Sequence, residues 1–166
     1  MGYLMENQLS IDDKILNLDK VLDDFESSTG LPLNTPKTIE IEAKRLLELE
    51  PEYLSKLSAE QCGEASVVLE QFSFYLQKIM NRESSKIKWS NEAINKIIGS
   101  TILFQKGYGF EERRIAAIRE NDAATKLQNI KVKHELRAER ISYLSSKIDS
   151  LSKSFIALQQ TKRGKN

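Results

Sequence analysis

Apolar residues recur every three and then four positions between Arg113 and Leu158, and this ladder constrains the fold more than any other feature of the chain. Such spacing places a narrow apolar seam along one side of a single long helix, which buries the seam against another helix. A helix of that length is on the order of 75 Å long and needs a partner to cover the seam. The seam positions are Leu127, Ile130, His134, Arg137, Ile141, Leu144, Ile148, Leu151, Phe155 and Leu158.

A second apolar seam precedes this one. Ser58 and Gln61 have the spacing of a capping box, and apolar residues then step by three and four from Cys62 to Ile79. The stepping shifts near Glu83, as at a coiled-coil stutter, and then resumes until the helix ends near Gly99. Two glycines within residues 106–112 reverse the chain ahead of the last helix. The sequence therefore predicts an all-α fold built on an antiparallel hairpin of two long helices, a coiled coil.

Two short helices are predicted ahead of the hairpin. Residues 9–26 form an amphipathic helix with an acidic polar side, and turn-forming residues 27–34 follow it. Thr35 as N-cap and Pro36 at the first helical position open a second helix, which runs to about residue 50. We therefore expect an acidic helix with its linker over 1–34 and a helical coiled-coil domain over 35–166. The acidic helix either docks on its own bundle or binds a groove on another protein.

Composition argues against several classes of protein. Cys62 is the single cysteine and falls on an apolar stripe, so a disulfide framework is excluded and a small buried side chain is predicted. His134 is the single histidine, and neither a Ser/His/Asp grouping nor a phosphate-binding glycine loop is present. No apolar run reaches the roughly 20 residues of a membrane span, and the N-terminus is unlike a signal peptide. We expect a cytoplasmic, non-enzymatic protein without catalytic residues, metal, cofactor or membrane partner.

The polar seam residues and the end of the last helix bear on assembly. His134 and Arg137 stand among aliphatic residues, where they either set register and oligomeric state or extend to water. The last helix outreaches its partner, so either the short N-terminal helices or other subunits cover its final seam residues. Exposure of these seam residues to water would cost several kcal/mol, at about 25 cal/mol per Å² of apolar surface. We expect a homo-oligomer built through the C-terminal helix.

Charge is distributed unevenly, although the net charge is only +1. Residues 1–60 hold 13 acidic and 6 basic side chains, and residues 61–166 hold 11 and 19. The two parts can fold onto each other, pair between chains or meet different partners. The basic helices are either solvated faces or a phosphate-binding surface, and the aromatic reversal either packs on the bundle or stacks on unpaired bases. The residues predicted to bind nucleic acid are Lys86, Lys88, Lys96, Lys106, Tyr108, Phe110, Arg113, Arg114, Lys147, Lys153, Lys162, Arg163 and Lys165.

The two long helices carry, in this order, Glu64-Ala65, Tyr75-Leu76-Gln77-Lys78, Ile141-Ser142-Tyr143, Asp149, Ala157 and Arg163-Gly164. This order of parts resembles the UvsY-type recombination mediators of tailed phages. Those proteins are small helical oligomers that bind single-stranded DNA and help to load a strand-exchange recombinase onto it. The family has a basic cluster ahead of a Tyr-Gly turn, whereas the stretch 97–105 here is mostly apolar.

The resemblance implies a non-enzymatic accessory protein that binds single-stranded DNA as a helical oligomer. Its protein partner would be a recombinase or a single-strand binding protein, contacted through the acidic N-terminal helix, and it would act in the host cytoplasm if a phage encodes it. The alternative is a phage structural, assembly or scaffold protein whose coiled coil makes protein contacts only. Binding of nucleic acid distinguishes the two hypotheses.

Overall fold

The architecture is a pairing of two long helices, seen in a computed structural model that describes residues 10–30 and 34–164. Throughout these residues the regular structure is helical and contains no strand, and helix α4 packs against helix α6. The predicted all-α hairpin is therefore confirmed. The elements are α1 (Ile11–Ser28), α2 (Lys37–Leu47), α3 (Pro51–Leu54), α4 (Ala59–Ile98), a 3-10 turn (Ile102–Phe104), α5 (Phe110–Arg119) and α6 (Asp122–Arg163).

The chain divides into two compact units. Unit 1 comprises Met1–Leu31 and Arg82–Arg137, and unit 2 comprises Pro32–Asn81 and Ala138–Asn166. Helices α4 and α6 contribute residues to both units. The division predicted from the sequence, into 1–34 and 35–166, stays a prediction.

The core of unit 2 covers the C-terminal half of the predicted seam. Leu46 on α2, Leu69 on α4 and Phe155 on α6 are buried together in one cluster. Leu54 and Leu57 pack against this cluster from the segment between α2 and α4. The chain's own short helices therefore cover the final seam residues, which removes the reason for placing another subunit there. The seam residues that belong to this cluster are Ile141, Leu144, Ile148, Leu151, Phe155 and Leu158.

The core of unit 1 joins the end of α4 to α5 and the start of α6. Ile94, Ile98, Ile118 and Leu127 are buried in it. Trp89 is half-buried against this cluster, so its predicted role in packing is confirmed. The first turns of the last helix are thus anchored by residues of the same unit.

The predicted limits of α4 agree with the structure. The Ser58 backbone N–H donates to Oε1 of Gln61 at 2.8 Å, and the Gln61 N–H donates to Oγ of Ser58 at 3.1 Å. This reciprocal pair is the predicted capping box, and it supplies partners that the first turn of a helix otherwise lacks. The helix ends at Ile98, beside Gly99. Cys62 is buried, as predicted.

The predicted limits of α2 are wrong by one residue at its start and by about three at its end. Pro36 rather than Thr35 is the N-cap, and no side chain caps the helix. The helix ends at Leu47 because Pro51 disfavours helical geometry at Glu50, where ψ is 145°. Pro51 itself begins the short helix α3, for which its fixed φ is suited.

The acidic helix α1 is present where the sequence predicts it, although it extends two residues into the predicted linker. It ends at Ser28 because Gly30 adopts a left-handed φ of 71°, the conformation that favours glycine after a helix. At its start, Ser10 and Asp13 form a capping box. Residues 31–33 of the predicted linker lie outside the described residues.

The predicted continuous helix from Arg113 to Leu158 is wrong at one place, because the chain breaks between α5 and α6. Oδ1 of Asn121 accepts the Ala124 N–H at 3.0 Å, which makes Asn121 the cap of α6. The Thr125 hydroxyl donates to the Ile118 carbonyl at 2.8 Å and satisfies the end of α5. From Asp122 onward the helix runs without interruption to Arg163, as the seam predicts.

Candidate nucleic-acid interface

The segment 103–110, here called the aromatic loop, exposes its large side chains. Tyr108 is fully exposed, Phe104 is 85% exposed and Phe110 is 66% exposed. The alternative that the aromatic reversal packs against the bundle is therefore wrong for these side chains. Leu103 and Phe104 were missed as candidates, although an apolar pair ahead of a glycine turn was visible in the sequence.

The backbone of the aromatic loop is held by α5. The Tyr108 N–H donates to Oε2 of Glu112 at 2.8 Å, and Nε of Arg113 donates to the Gly109 carbonyl at 3.4 Å. Gly107 is closely packed, since a Cβ there would lie 3.0 Å from Cβ of Glu112. Local hydrogen bonds and close packing therefore fix the segment that presents Tyr108.

Six of the predicted cations have exposed side chains. They have no ion pair with a carboxylate among residues 10–30 and 34–164. Lys106 lies within the aromatic loop itself, and Lys96 lies near the end of α4. Such cations are available to phosphates without first losing a partner. They are Lys88, Lys96, Lys106, Lys147, Lys153 and Arg163.

Other predicted cations are engaged within the fold. Nζ of Lys86 lies 2.8 Å from a carboxylate oxygen of Asp19. A guanidinium nitrogen of Arg114 donates to Oδ1 of Asn91 at 3.1 Å. Nζ of Lys162 donates to the backbone carbonyl of Ser55 at 2.8 Å and also to that of Leu57. Lys165 lies outside the described residues.

A groove of about 350 Å³ lies between α5 and α6 in unit 1. Ile115 and Ile118 give it an apolar wall, while Arg114 and Arg119 place cations at its sides. Glu111 also lines the groove and lies 3.7 Å from a guanidinium nitrogen of Arg114, so the groove carries both signs of charge.

Helix α1 covers cations that sequence reasoning left out of the site. Arg82 on α4 pairs with Asp23 and, at 2.7 Å, with Glu26, and Lys126 on α6 pairs with Asp12 at 2.8 Å. The hydrogen bonds that the Arg82 guanidinium donates to Glu26 and to Asp23 raise its pKa above the usual value. Within unit 1 the acidic front of the chain thus folds onto basic residues. In the sequence, the i, i+4 spacing of Arg82 and Lys86 places both on one helix face, and this spacing could have indicated a common acidic partner.

The two polar seam residues meet a buried carboxylate. Nδ1 of His134 lies 2.6 Å from Oε2 of Glu83, whose side chain is 3% exposed. Nε of Arg137 lies 3.4 Å from the other oxygen of Glu83, while most of the Arg137 side chain is exposed. Of the two expected alternatives, extension to water describes Arg137 and not His134. Within the fold, Glu83 is thus the polar partner of both seam residues.

Models of protein families, curated proteins and solved structures were compared with the chain, and none of them matches it. In the part of the chain that the structure describes, no three His, Cys, Asp or Glu side chains lie together in a way that would hold a metal ion. No helix within that part combines the length and apolar character needed to cross a bilayer.

Proposed function

We propose that this protein is a non-enzymatic accessory protein that binds single-stranded DNA through the aromatic loop and the exposed cations. The observation that carries the proposal is the full exposure of Tyr108 beside Lys106, on a loop whose backbone α5 holds in place. A large exposed aromatic side chain on a fixed loop is available for contact with a ligand that offers flat apolar faces. Unpaired nucleobases are such ligands.

The chemistry of this surface favours single strands over duplexes. Stacking of one base on an aromatic side chain contributes about 1–3 kcal/mol and is tolerant of sequence. In a duplex the base faces are covered by neighbouring pairs, so Tyr108 and Phe110 would have nothing to stack on. Lys96 and Lys106 would supply phosphate contacts whose strength falls with salt. The proposed binding is therefore single-strand selective, tolerant of sequence and dependent on salt.

The resemblance to UvsY-type mediators supports the wider role in this proposal. The protein would assist a recombinase or a single-strand binding protein and would act as a homo-oligomer in the cytoplasm, of the host if a phage encodes it. Since the seam residues of unit 2 pack inside the chain, the oligomer would use another surface. Val67 and Phe74 are exposed, lie seven residues apart on α4 and share one face, which supports them as that surface.

Fluorescence anisotropy with labelled oligo(dT) tests the proposal. We expect Tyr108→Ala/Phe110→Ala to weaken binding at least tenfold, and Tyr143→Ala, which removes an exposed tyrosine of α6, to change it less than twofold. Duplex DNA should bind more weakly than the single strand. Equal affinity of the wild type and the double variant, or a binding curve that is flat between low and moderate salt, would contradict the proposal. Light-scattering mass with and without the oligonucleotide tests the oligomer.

A structural or scaffold role with protein contacts only is the second candidate. The exposed side chains of Leu103 and Phe104 favour it, because they add apolar surface without charge to the aromatic loop. Contiguous exposed apolar surface commonly marks a protein contact. If this second role is right, the protein should bind no oligonucleotide and should be present in purified phage particles.

A further inference from the structure

Helix α1 pairs with three cations of unit 1, the sheltered Arg82 and Lys86 and the more exposed Lys126, here called the α1-covered cations. We propose that they form a second contact surface for the phosphates of single-stranded DNA, and that α1 occupies this surface as an internal polyanion until a strand displaces it. The inference rests on the proposed function and adds a regulated second surface to it.

The first support is the close match between the anionic side of α1 and the cations beneath it. Glu26 lies 2.7 Å from Arg82, and their side chains are only 12% and 19% exposed. Asp19 lies 2.8 Å from Lys86 in a similarly sheltered position. Because these cations are partly shielded from water, each interacts more strongly with an anion than a solvated lysine does. The same shielding would strengthen the interaction of these cations with a phosphate.

The second support is the weak apolar anchorage of α1. None of its residues is buried, and Leu16, Val21 and Phe25 are exposed. Ile11 contacts the core of unit 1, and Ile11, Ile15, Leu18 and Leu22 are no more than half-buried. Ion pairs therefore add to a modest apolar contact in holding this helix. A helix held in this way is sensitive to salt and to a competing polyanion.

The third support is the energetics of polyanion binding. A strand that neutralises cations releases its condensed counterions, an entropic gain that the docking of α1, with its few charges, supplies to a smaller extent. While α1 is docked, its carboxylates repel phosphates from the same place. Displacement exchanges one set of anions for another at the α1-covered cations. Binding in two stages, first at the aromatic loop and then beneath α1, follows from this arrangement.

The test neutralises α1 in the full-length chain with amide substitutions that keep side-chain shape. For Asp19→Asn/Asp23→Asn/Glu26→Gln, we expect oligo(dT) affinity to rise at least tenfold. The slope of log affinity against log salt should steepen by about 1.4, since two further cations become available at about 0.7 each. The matched control Glu52→Gln/Glu60→Gln/Glu64→Gln changes net charge equally at exposed sites of unit 2 and should change affinity less than threefold.

Two further variants keep the test decisive. Adding Arg82→Gln/Lys86→Gln to the neutralised chain should abolish the gain. Asp12→Asn frees only Lys126 from an exposed pair, so it preserves the fold and should raise affinity two- to threefold. Circular dichroism confirms that each variant is folded.

The outcomes separate this inference from the proposed function. If the wild type binds through Tyr108 but the neutralised chain binds no more tightly, the inference is overturned and the proposed function stands. A neutralised chain that binds no DNA at all overturns both. A gain that equals that of the control, or that survives the loss of Arg82 and Lys86, assigns the effect to net charge and overturns the inference.

Discussion

The carboxylate of Glu83 and the imidazole of His134 are in direct contact, with 2.6 Å between Oε2 and Nδ1. Glu83 lies on α4 at the point where the apolar stepping shifts, and His134 interrupts the apolar seam of α6. Glu83 and His134 can contact each other only when the two helices are in one register, since any shift leaves a buried polar group without its partner. The contact is therefore suited to fixing the alignment of α4 and α6 in unit 1.

Removing one partner of this pair is expected to be costly. Glu83→Ala leaves His134 without its hydrogen-bond partner, and we expect the free energy of unfolding to fall by about 1–3 kcal/mol. Urea denaturation followed by circular dichroism measures the change. Glu139→Ala, which removes an exposed carboxylate from α6, is the matched control and should change stability by less than about 0.5 kcal/mol. A similar small loss for both variants would contradict the assigned role.

Replacing both partners by apolar residues is expected to have the opposite result. Glu83→Leu/His134→Leu removes the desolvation cost of both groups, so its stability should equal or exceed that of the wild type. Arg137 loses one contact at 3.4 Å but stays mostly in water. If the pair sets register rather than stability, the stable double variant should show an altered oligomeric mass or a broader unfolding transition. A double variant less stable than Glu83→Ala would argue against this account.

Periodicity predicted the long helices, because burial of one helix face requires apolar residues every three and four positions, and this spacing is present in the sequence itself. Leu127, Ile148 and Phe155 lie in cores as the seam requires. What periodicity does not contain is the identity of the surface that covers the seam. Short helices carry little pattern of their own, so the burial of Phe155 in one cluster with Leu46 was visible only in the structure.

The exposed site was less predictable than the core. The engagement of Lys162 depends on Ser55 and Leu57, which are distant in the sequence. A list of cations does not say which of them already hold a carboxylate or a carbonyl. Arg82 illustrates the limit, since its partners lie on α1, more than fifty residues away.

The break between α5 and α6 rests on one side chain. Asn121→Ala removes the oxygen that accepts the Ala124 N–H, and we expect a loss of about 1 kcal/mol in the free energy of unfolding. Chemical denaturation measures it. Asn121→Asp keeps an acceptor and should stay within about 0.5 kcal/mol of the wild type. If the alanine variant is instead more stable, α5 and α6 have joined into the continuous helix that the sequence predicts.

The stability of the capping box at the start of α1 is expected to depend on pH. Hydrogen bonds from the Ser10 hydroxyl and backbone N–H hold the pKa of the Asp13 carboxyl below its usual value. A carboxyl whose folded-state pKa is depressed stabilises the fold above its usual pKa, and this contribution is lost as pH falls through the folded-state pKa. Ser10→Ala removes the larger of the two hydrogen bonds and should raise the pKa of Asp13 toward its usual value. Titration of the carboxyl by NMR measures it, and an unchanged pKa would contradict the capping role.

Lys162 and Lys153 are expected to behave differently, although both are cations near the end of α6. Nζ of Lys162 donates to the Ser55 and Leu57 carbonyls, whereas Lys153 is exposed. Lys162→Met keeps the aliphatic stem and leaves those carbonyls without the donor, so the free energy of unfolding should fall by about 1 kcal/mol. Lys153→Met should leave stability unchanged within about 0.5 kcal/mol and weaken oligo(dT) binding with a shallower salt dependence. If Lys162→Met is as stable as the wild type and loses affinity to the same extent as Lys153→Met, both lysines belong to the strand-binding surface.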